Sequence, residues 1–379
     1  MQGEINMYKQ QILNASENYS ELDTYLKTNG NKVVLLVCDG SLPFLKISKY
    51  FDTLEERLGI KIIKFSNFKP NPLYESVVEG VELFHSAHCD SIIAVGGGSA
   101  IDVAKCIKLY SNMNNSENYL KQNIVANDIK FLAVPTTAGT GSEATRYAVV
   151  YYNGEKQSVS DYSCIPSAVL FDSSVLKTLP EYQKKSTMMD ALCHAIESFW
   201  SVNSNDESQS YSENAIKSIL KYKDAYLYNS EDGNTEMLKA ANIAGKAINI
   251  TQTTAGHAMC YKLTSLYGIA HGHAAALCVS KLFPYMVKNI DRCIDPRGSE
   301  YVKSIFMRIA KSMGCSDEKE ACVKFESIIK SLSLEVPQAE YGDYEVLKTS
   351  VNPVRLKNNP IKLDVEAIDD LYHQILLRK

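Results

Sequence analysis

Five short apolar runs, separated by segments of helical spacing, fill the first half of this chain and stop near Pro180. VVLLVC (33–38), IKIIKF (60–65), SIIAVG (91–96), KFLAVP (130–135) and SAVLFD (167–172) read as buried strands. Between them, 72–88 and 100–110 repeat apolar residues at helical spacing, with Pro72 near the start of the first. Near-continuous apolar strands interleaved with helices indicate a doubly wound parallel sheet covered on both faces. Beyond Pro180 extended runs largely vanish, and 190–200, 212–222 and 237–248 show helical periodicity. The segment 351–360 reads as a loop and 363–376 as a last helix. The expected organisation is a Rossmann-like α/β domain over 1–180 and an all-helical domain over 181–379.

Bulk properties exclude several function classes. With 40 basic and 44 acidic residues the net charge is −4, which gives no electrostatic reason for a nucleic-acid or anionic-membrane partner. No run of 18 apolar residues suggests a spanning helix, and the polar first twenty residues do not resemble a signal peptide. The ten cysteines, from Cys38 to Cys322, are scattered and read as reduced small hydrophobes of a cytoplasmic protein.

Gly96, Gly97, Gly98 and Ser99 follow an expected strand and open an expected helix, with Asp102 one turn in. Glycines let backbone approach an anion, and a helix N-terminus offers unpaired N–H groups and a favourable dipole. A pyrophosphate fits such a turn; a purely structural tight turn is the alternative. The segment 135–143, also after a strand, offers Thr136, Thr137, Thr140 and Ser142 as a second wall of a nucleotide groove. Asp39, at the end of the first strand, suits a ribose diol or is an ordinary turn aspartate.

Four of the seven histidines, His194, His257, His271 and His273, lie within 80 residues. Asp190 and His194 are spaced i,i+4 and so share one helical face. Gly256 precedes His257, and Gly268 and Gly272 bracket His271. Glycines permit the close packing that would bring further ligands to one point. Imidazole and carboxylate suit a borderline divalent ion, whereas a lone histidine in such a setting would be a core residue.

Four stretches, GGGSAIDVAK (96–105), PTTAGTGSEAT (135–145), DALCHAIESFW (190–200) and GHAMCYKLTSLYGIAHG (256–272), together resemble the iron-dependent (group III) alcohol dehydrogenase family. The resemblance implies a dehydroquinate synthase-like architecture, an NAD(P)-binding first domain and a helical second domain holding one divalent metal. It implies Asp190, His194, His257 and His271 as the ligands, with Fe²⁺ expected and Zn²⁺ its main competitor. It implies Gly96 to Ser99 as the pyrophosphate loop, Thr136 to Ser142 as the second wall, and Lys156 as a nucleotide contact. Asp39 falls where an acidic residue favours NAD over NADP. Homodimers are common in the family.

One departure concerns the proton. Many members carry a second histidine four residues after the third ligand; here that position is Tyr261. A phenol is protonated at neutral pH and donates more readily than it abstracts, so Tyr261 favours aldehyde reduction. Water, a ribose hydroxyl or His273 are alternative routes. Three further stretches, 196–208, 244–265 and 350–360, are similar to the phosphonoacetaldehyde reductase (2-hydroxyethylphosphonate dehydrogenase) subgroup. A substrate with a dianionic head needs cations, for which Arg146, Lys262 and Lys246 are candidates, Arg146 being preferred for its planar fork. Alternatives are a dehydrogenase for uncharged short alcohols or diols, an NAD-dependent metal lyase resembling dehydroquinate synthase, and a non-enzymatic nucleotide-binding protein.

Overall fold

The computed structural model describes residues 10–378. The chain forms two compact units. One takes the described chain up to Thr137 and resumes from Gly141 to Leu179; the other takes Ala138–Thr140 and the described chain from Pro180 onward.

The first unit contains β1 (Gln11–Asn14), α1 (Ser20–Thr28), β2 (Val33–Cys38), α2 (Ser48–Asp52), α3 (Leu54–Leu58), β3 (Lys61–Phe65), α4 (Tyr74–Ser86), β4 (Ser91–Gly96), α5 (Gly98–Tyr110), β5 (Lys130–Pro135), β6 (Tyr147–Tyr152), β7 (Glu155–Ser160) and β8 (Ala168–Phe171). Six strands pair in the order β1-β8-β5-β4-β2-β3, all parallel. β4 is buried throughout, β2 and β5 in all but their first residue, which explains their uninterrupted apolar sequences. The five expected strands are present, and the fold is the doubly wound α/β type. From β2 the chain goes to one side for β3 and to the other for β4. The topological switch therefore lies between β2 and β4, and the carboxyl ends of those strands, at Asp39 and Gly96, frame the crevice where such sheets bind ligands.

Strand β1 and the antiparallel hairpin β6–β7 go beyond the sequence expectation. The hairpin had a local signal: Asn153-Gly154 between two polar–apolar runs, both residues at positive φ (52° and 76°). That is the two-residue turn whose twist matches paired strands.

The second unit is helical: α6 (Glu181–Trp200), α7 (Asp206–Leu227), α8 (Glu231–Thr251), α9 (Ala255–Tyr267), α10 (His271–Lys288), α11 (Ser299–Ser312), α12 (Glu318–Ser331), α13 (Asp343–Thr349), α14 (Pro353–Leu356) and α15 (Val365–Ile375). α6 is buried without interruption from Met188 to Trp200, so it forms the axis against which α7, α8 and α10 pack. Its buried polar residues therefore need internal partners or ligands. The segment expected as a loop over 351–360 contains the single turn α14, capped by the Asn352 side chain. No helix among the described residues is long and apolar enough to cross a membrane.

Candidate active site

Asp190, His194 and Glu197 recur at i, i+4 and i+7 on α6 and so share one face. All are buried, with relative exposures of 2%, 6% and 0%. His257, 1% exposed, enters from the first turn of α9, and His271 opens α10. Two glycines permit this convergence. A Cβ on Gly272 would stand 2.1 Å from the Ser186 carbonyl oxygen and 2.6 Å from the Asp190 Cβ. A Cβ on Gly256 would stand 2.7 Å from Val279 and 3.0 Å from Glu197 Oε1. Only glycine lets α9 and α10 approach α6 this closely.

One ligand atom from each of Asp190, His257 and His271 lies within 4.8 Å of the others. His257 Nε2 is 3.4 Å from Asp190 Oδ1, and His194 Nε2 is 3.9 Å from the same oxygen. Ligand atoms about 2.0–2.1 Å from a tetrahedral ion are separated by about 3.4 Å, so this donor set fits a divalent cation. The His194 and His257 rings stack at 4.5 Å, and His271 lies 5.4 Å from His257. Burial pushes the Asp190 carboxyl up, but His194, His257 and His271 outweigh it and hold it below the usual carboxylate range. Burial likewise opposes charge on His257, yet Glu197 and Asp190 raise it to about 9. For His194 burial prevails over Asp190 and lowers it.

Glu197 escaped the sequence reading. Its Oε1 accepts from the Thr254 amide (3.1 Å), the Thr254 hydroxyl (2.6 Å) and the His257 amide (3.3 Å). Its Oε2 bonds His257 Nδ1. One carboxylate thus caps α9 and fixes the ring that turns Nε2 toward Asp190, as carboxylates behind ligating histidines do. The available signal was an acidic residue inside an apolar helix, seven positions from Asp190.

The flanking residues are placed as follows. Tyr261 stacks on His271, ring centroids 5.4 Å apart. Burial, reinforced by Cys260, Glu197 and Asp190 and opposed by Arg355, drives its hydroxyl well above the ordinary phenol range. Cys260 Sγ lies 3.6 Å from His271 Nδ1. His273, two positions past His271, does not join the cluster; its Nδ1 meets the Tyr182 hydroxyl at 3.0 Å. Lys246 and Lys262 are half-buried on α8 and α9.

In the first unit, Asp39 accepts from the Ser41 amide and hydroxyl at 2.9 and 2.5 Å. A Cβ on Gly96 would sit 2.5 Å from Ala100 Cβ and 3.0 Å from Asp39 Oδ2; one on Gly97 would meet Thr137 at 3.3 Å. The surface there is bare backbone. Gly97, the N-cap of α5, supplies no side-chain cap to the first amides, which include those of Gly98 and Ser99. The Thr136 amide donates to the Gly96 carbonyl at 3.0 Å, tying the two loops together.

Asp102 and Ser142 face inward. Asp102 accepts from the Ser142 hydroxyl (2.6 Å) and the Val149 amide (3.0 Å). Fully buried Lys105 donates to the Ser142 hydroxyl, the Thr145 hydroxyl and the Tyr147 carbonyl. Burial pushes the Asp102 carboxyl above its ordinary value, opposed by Lys105, by the Ser142 and Val149 hydrogen bonds and, least, by Lys156 on β7. Thr140 belongs to the second unit. Arg146 donates to the Tyr162 hydroxyl and lies over the Tyr147 and Tyr162 rings at 4.9 and 4.7 Å.

Comparison with known proteins gives consistent matches to both units. The family description "iron-containing alcohol dehydrogenase" matches residues 10–173, and "Fe-containing alcohol dehydrogenase family, C-terminal" matches 184–376. A phosphonoacetaldehyde reductase of Streptomyces viridochromogenes is 28% identical over 312 residues, 78% of this chain and 79% of that one. An aldehyde-alcohol dehydrogenase of Streptococcus pneumoniae is 29% identical over 297 residues, 72% of this chain; the match spans only 33% of that longer protein. A crystal structure of sulfoacetaldehyde reductase from Bifidobacterium kashiwanohense, in complex with NAD⁺, shares the fold with a TM-score of 0.84, 24% identity, and coverage of 97% of this chain and 96% of the other.

Proposed function

Because the chain belongs to the iron-containing alcohol dehydrogenase family, we propose that it is an NAD(P)H-dependent reductase of a short aldehyde bearing a phosphonate, phosphonoacetaldehyde foremost. The overall change is aldehyde plus NADH plus H⁺ to primary alcohol plus NAD⁺. The observation that carries this reading is the convergence of buried Asp190 and His257 with half-buried His271 on one point.

Asp190, His194, His257 and His271 would hold the divalent cation, Fe²⁺ or Zn²⁺, while Glu197 keeps His257 in the tautomer and orientation for binding. When bound, the cation supplies Lewis acidity toward a carbonyl oxygen and the dinucleotide supplies the hydride. The amides of Gly97, Gly98 and Ser99 would receive the pyrophosphate beside Gly96, with Thr136 and Thr137 as the opposing wall, Ser142 supporting that wall from inside and Lys156 as an additional contact. Asp102 acts through Ser142, which it anchors. Asp39 binds the ribose diol and repels a 2′-phosphate, which favours NAD. Tyr261, kept protonated by burial, donates the proton from its hydroxyl rather than removing one, which favours reduction. His273, paired with Tyr182, is the less direct donor.

The test is NADH oxidation by protein reconstituted with Fe²⁺ or Zn²⁺, using phosphonoacetaldehyde beside uncharged short aldehydes. Metal-dependent turnover with preference for the phosphonate is expected. No turnover with any aldehyde in metal-loaded protein would sink the reading. Tyr261→Phe should lower reduction, and unchanged pH–rate behaviour in both directions would remove the tyrosine from the proton path.

A further inference from the structure

We infer that Arg355, on the turn that includes α14, is the residue that grips the charged end of the substrate, an aldehyde whose far end is a tetrahedral oxyanion. This rests on the reductase reading above and assigns its specificity to a side chain the sequence reading passed over.

Charge pairing sets Arg355 apart from four other arginines. Arg57, Arg292, Arg297 and Arg308 each lie within salt-bridge distance of a carboxylate, from Asp23, Asp364, Asp295 and Glu213 respectively. Half-buried Arg355 has no carboxylate partner among the described residues and donates from Nη1 to the neutral Gln252 Oε1 at 2.7 Å. A guanidinium carries five N–H donors in a fork that matches two oxygens of a tetrahedral anion. Arg146 is differently placed, donating to Tyr162 and lying over two tyrosine rings.

Gln252 begins the short segment that ends at Thr254, where Glu197 caps α9 and orients His257. The turn that carries Arg355 packs against α9, the helix of Tyr261, and the Tyr261 ring lies on His271. The unmatched cation is therefore carried on a turn packed against the helix whose tyrosine stacks on a candidate metal ligand. Gln252 has φ 61° and ψ 172°, a backbone region nearly confined to glycine and one that collects at ligand clamps.

Hydrogen bonds also tie down the end of this turn. The Asn358 carbonyl accepts from the Val202 amide at 3.0 Å. Its side chain donates to the Thr253 carbonyl at 3.1 Å and accepts from Asn203 at 3.0 Å. A cation fixed in advance loses little freedom on binding its anion.

The experiment compares wild type, Arg355→Met and Arg355→Lys, metal-loaded, on phosphonoacetaldehyde, sulfoacetaldehyde and propionaldehyde. Arg355→Met should lower the ratio of kcat/KM for the oxyanion aldehydes to that for propionaldehyde by ~10- to 100-fold, mostly through KM. Arg355→Lys should recover part of it. A larger loss with the phosphonate identifies a dianion as the preferred head, and a larger loss with the sulfonate a monoanion. Calorimetric titration with ethylphosphonate, which cannot react, should show binding to wild type that weakens in Arg355→Met. An unchanged ratio, or equal losses on charged and uncharged aldehydes, overturns the inference while leaving the reductase reading intact. If wild type reduces no aldehyde the reductase reading fails, and the ethylphosphonate titration still decides whether Arg355 binds the anion.

Discussion

A single carboxylate, Glu197, carries four hydrogen bonds at the candidate metal site, so its replacement has a sharp consequence. Glu197→Gln leaves the volume intact but removes the charge behind His257. Metal affinity should fall by ~10- to 100-fold in chelator competition, and equal affinity would show that the carboxylate does not orient the ligand. His257 also sets a pH dependence. Its pKa is raised from 6.5 to about 9 in the metal-free protein. A raised histidine stabilises fully below its unfolded value and loses that contribution as pH climbs through the folded one. Chelator-treated protein should therefore lose thermal stability between about pH 6.5 and about 9, whereas metal-loaded protein, whose His257 is already neutral, should not. A flat chelated profile would count against the Glu197–His257–Asp190 arrangement.

At the scale of elements, contacts between helices place the ligands. α10 meets α6 where Gly272 lies against Ser186 and Asp190. Gly272→Ala should cost about 1–3 kcal/mol in denaturant unfolding and reduce bound metal per chain; wild-type metal content in a destabilised variant would separate packing from ligand geometry. The sequence allowed the α6 face to be read, because i, i+4 spacing is a local property, and the strands β2, β4 and β5 were legible from their apolar runs. The β6–β7 hairpin was equally local, announced by Asn153-Gly154. The meeting of His257 with Asp190, 67 residues apart, was suggested by the clustered histidines and their flanking glycines and fixed as a ligand set by the family resemblance.

For the whole molecule, the division of labour between units makes a separate prediction. The proposed metal donors all belong to the second unit, and the glycine turn with Asp39 to the first. In hydrogen exchange, adding Fe²⁺ or Zn²⁺ alone should slow amides of α6, α9 and α10, while NADH alone should slow those around Gly96 to Ser99. Protection by metal confined to the first unit would contradict the ligand assignment. The division is not a cut at one peptide bond, since Ala138–Thr140 belongs with the helical unit. A Cβ on Gly139 would stand 2.7 Å from Thr187 Cβ, a close approach that hydropathy does not register.

The sequence by itself determined the periodicities: parallel strands and helices up to Pro180, helices after it, a glycine turn behind β4, and two metal-ligand types one helical turn apart. These follow from backbone stereochemistry and burial within a few residues, so they can be read in order along the chain. Tertiary structure alone decided which charges are answered. Asp102 turned out to be anchored by Ser142 and Val149, Arg146 to sit with tyrosines, and Arg355 to stand without a carboxylate on a turn packed against α9. Whether a charge is neutralised depends on neighbours distant along the chain, and packing brings those together at distances that spacing does not encode.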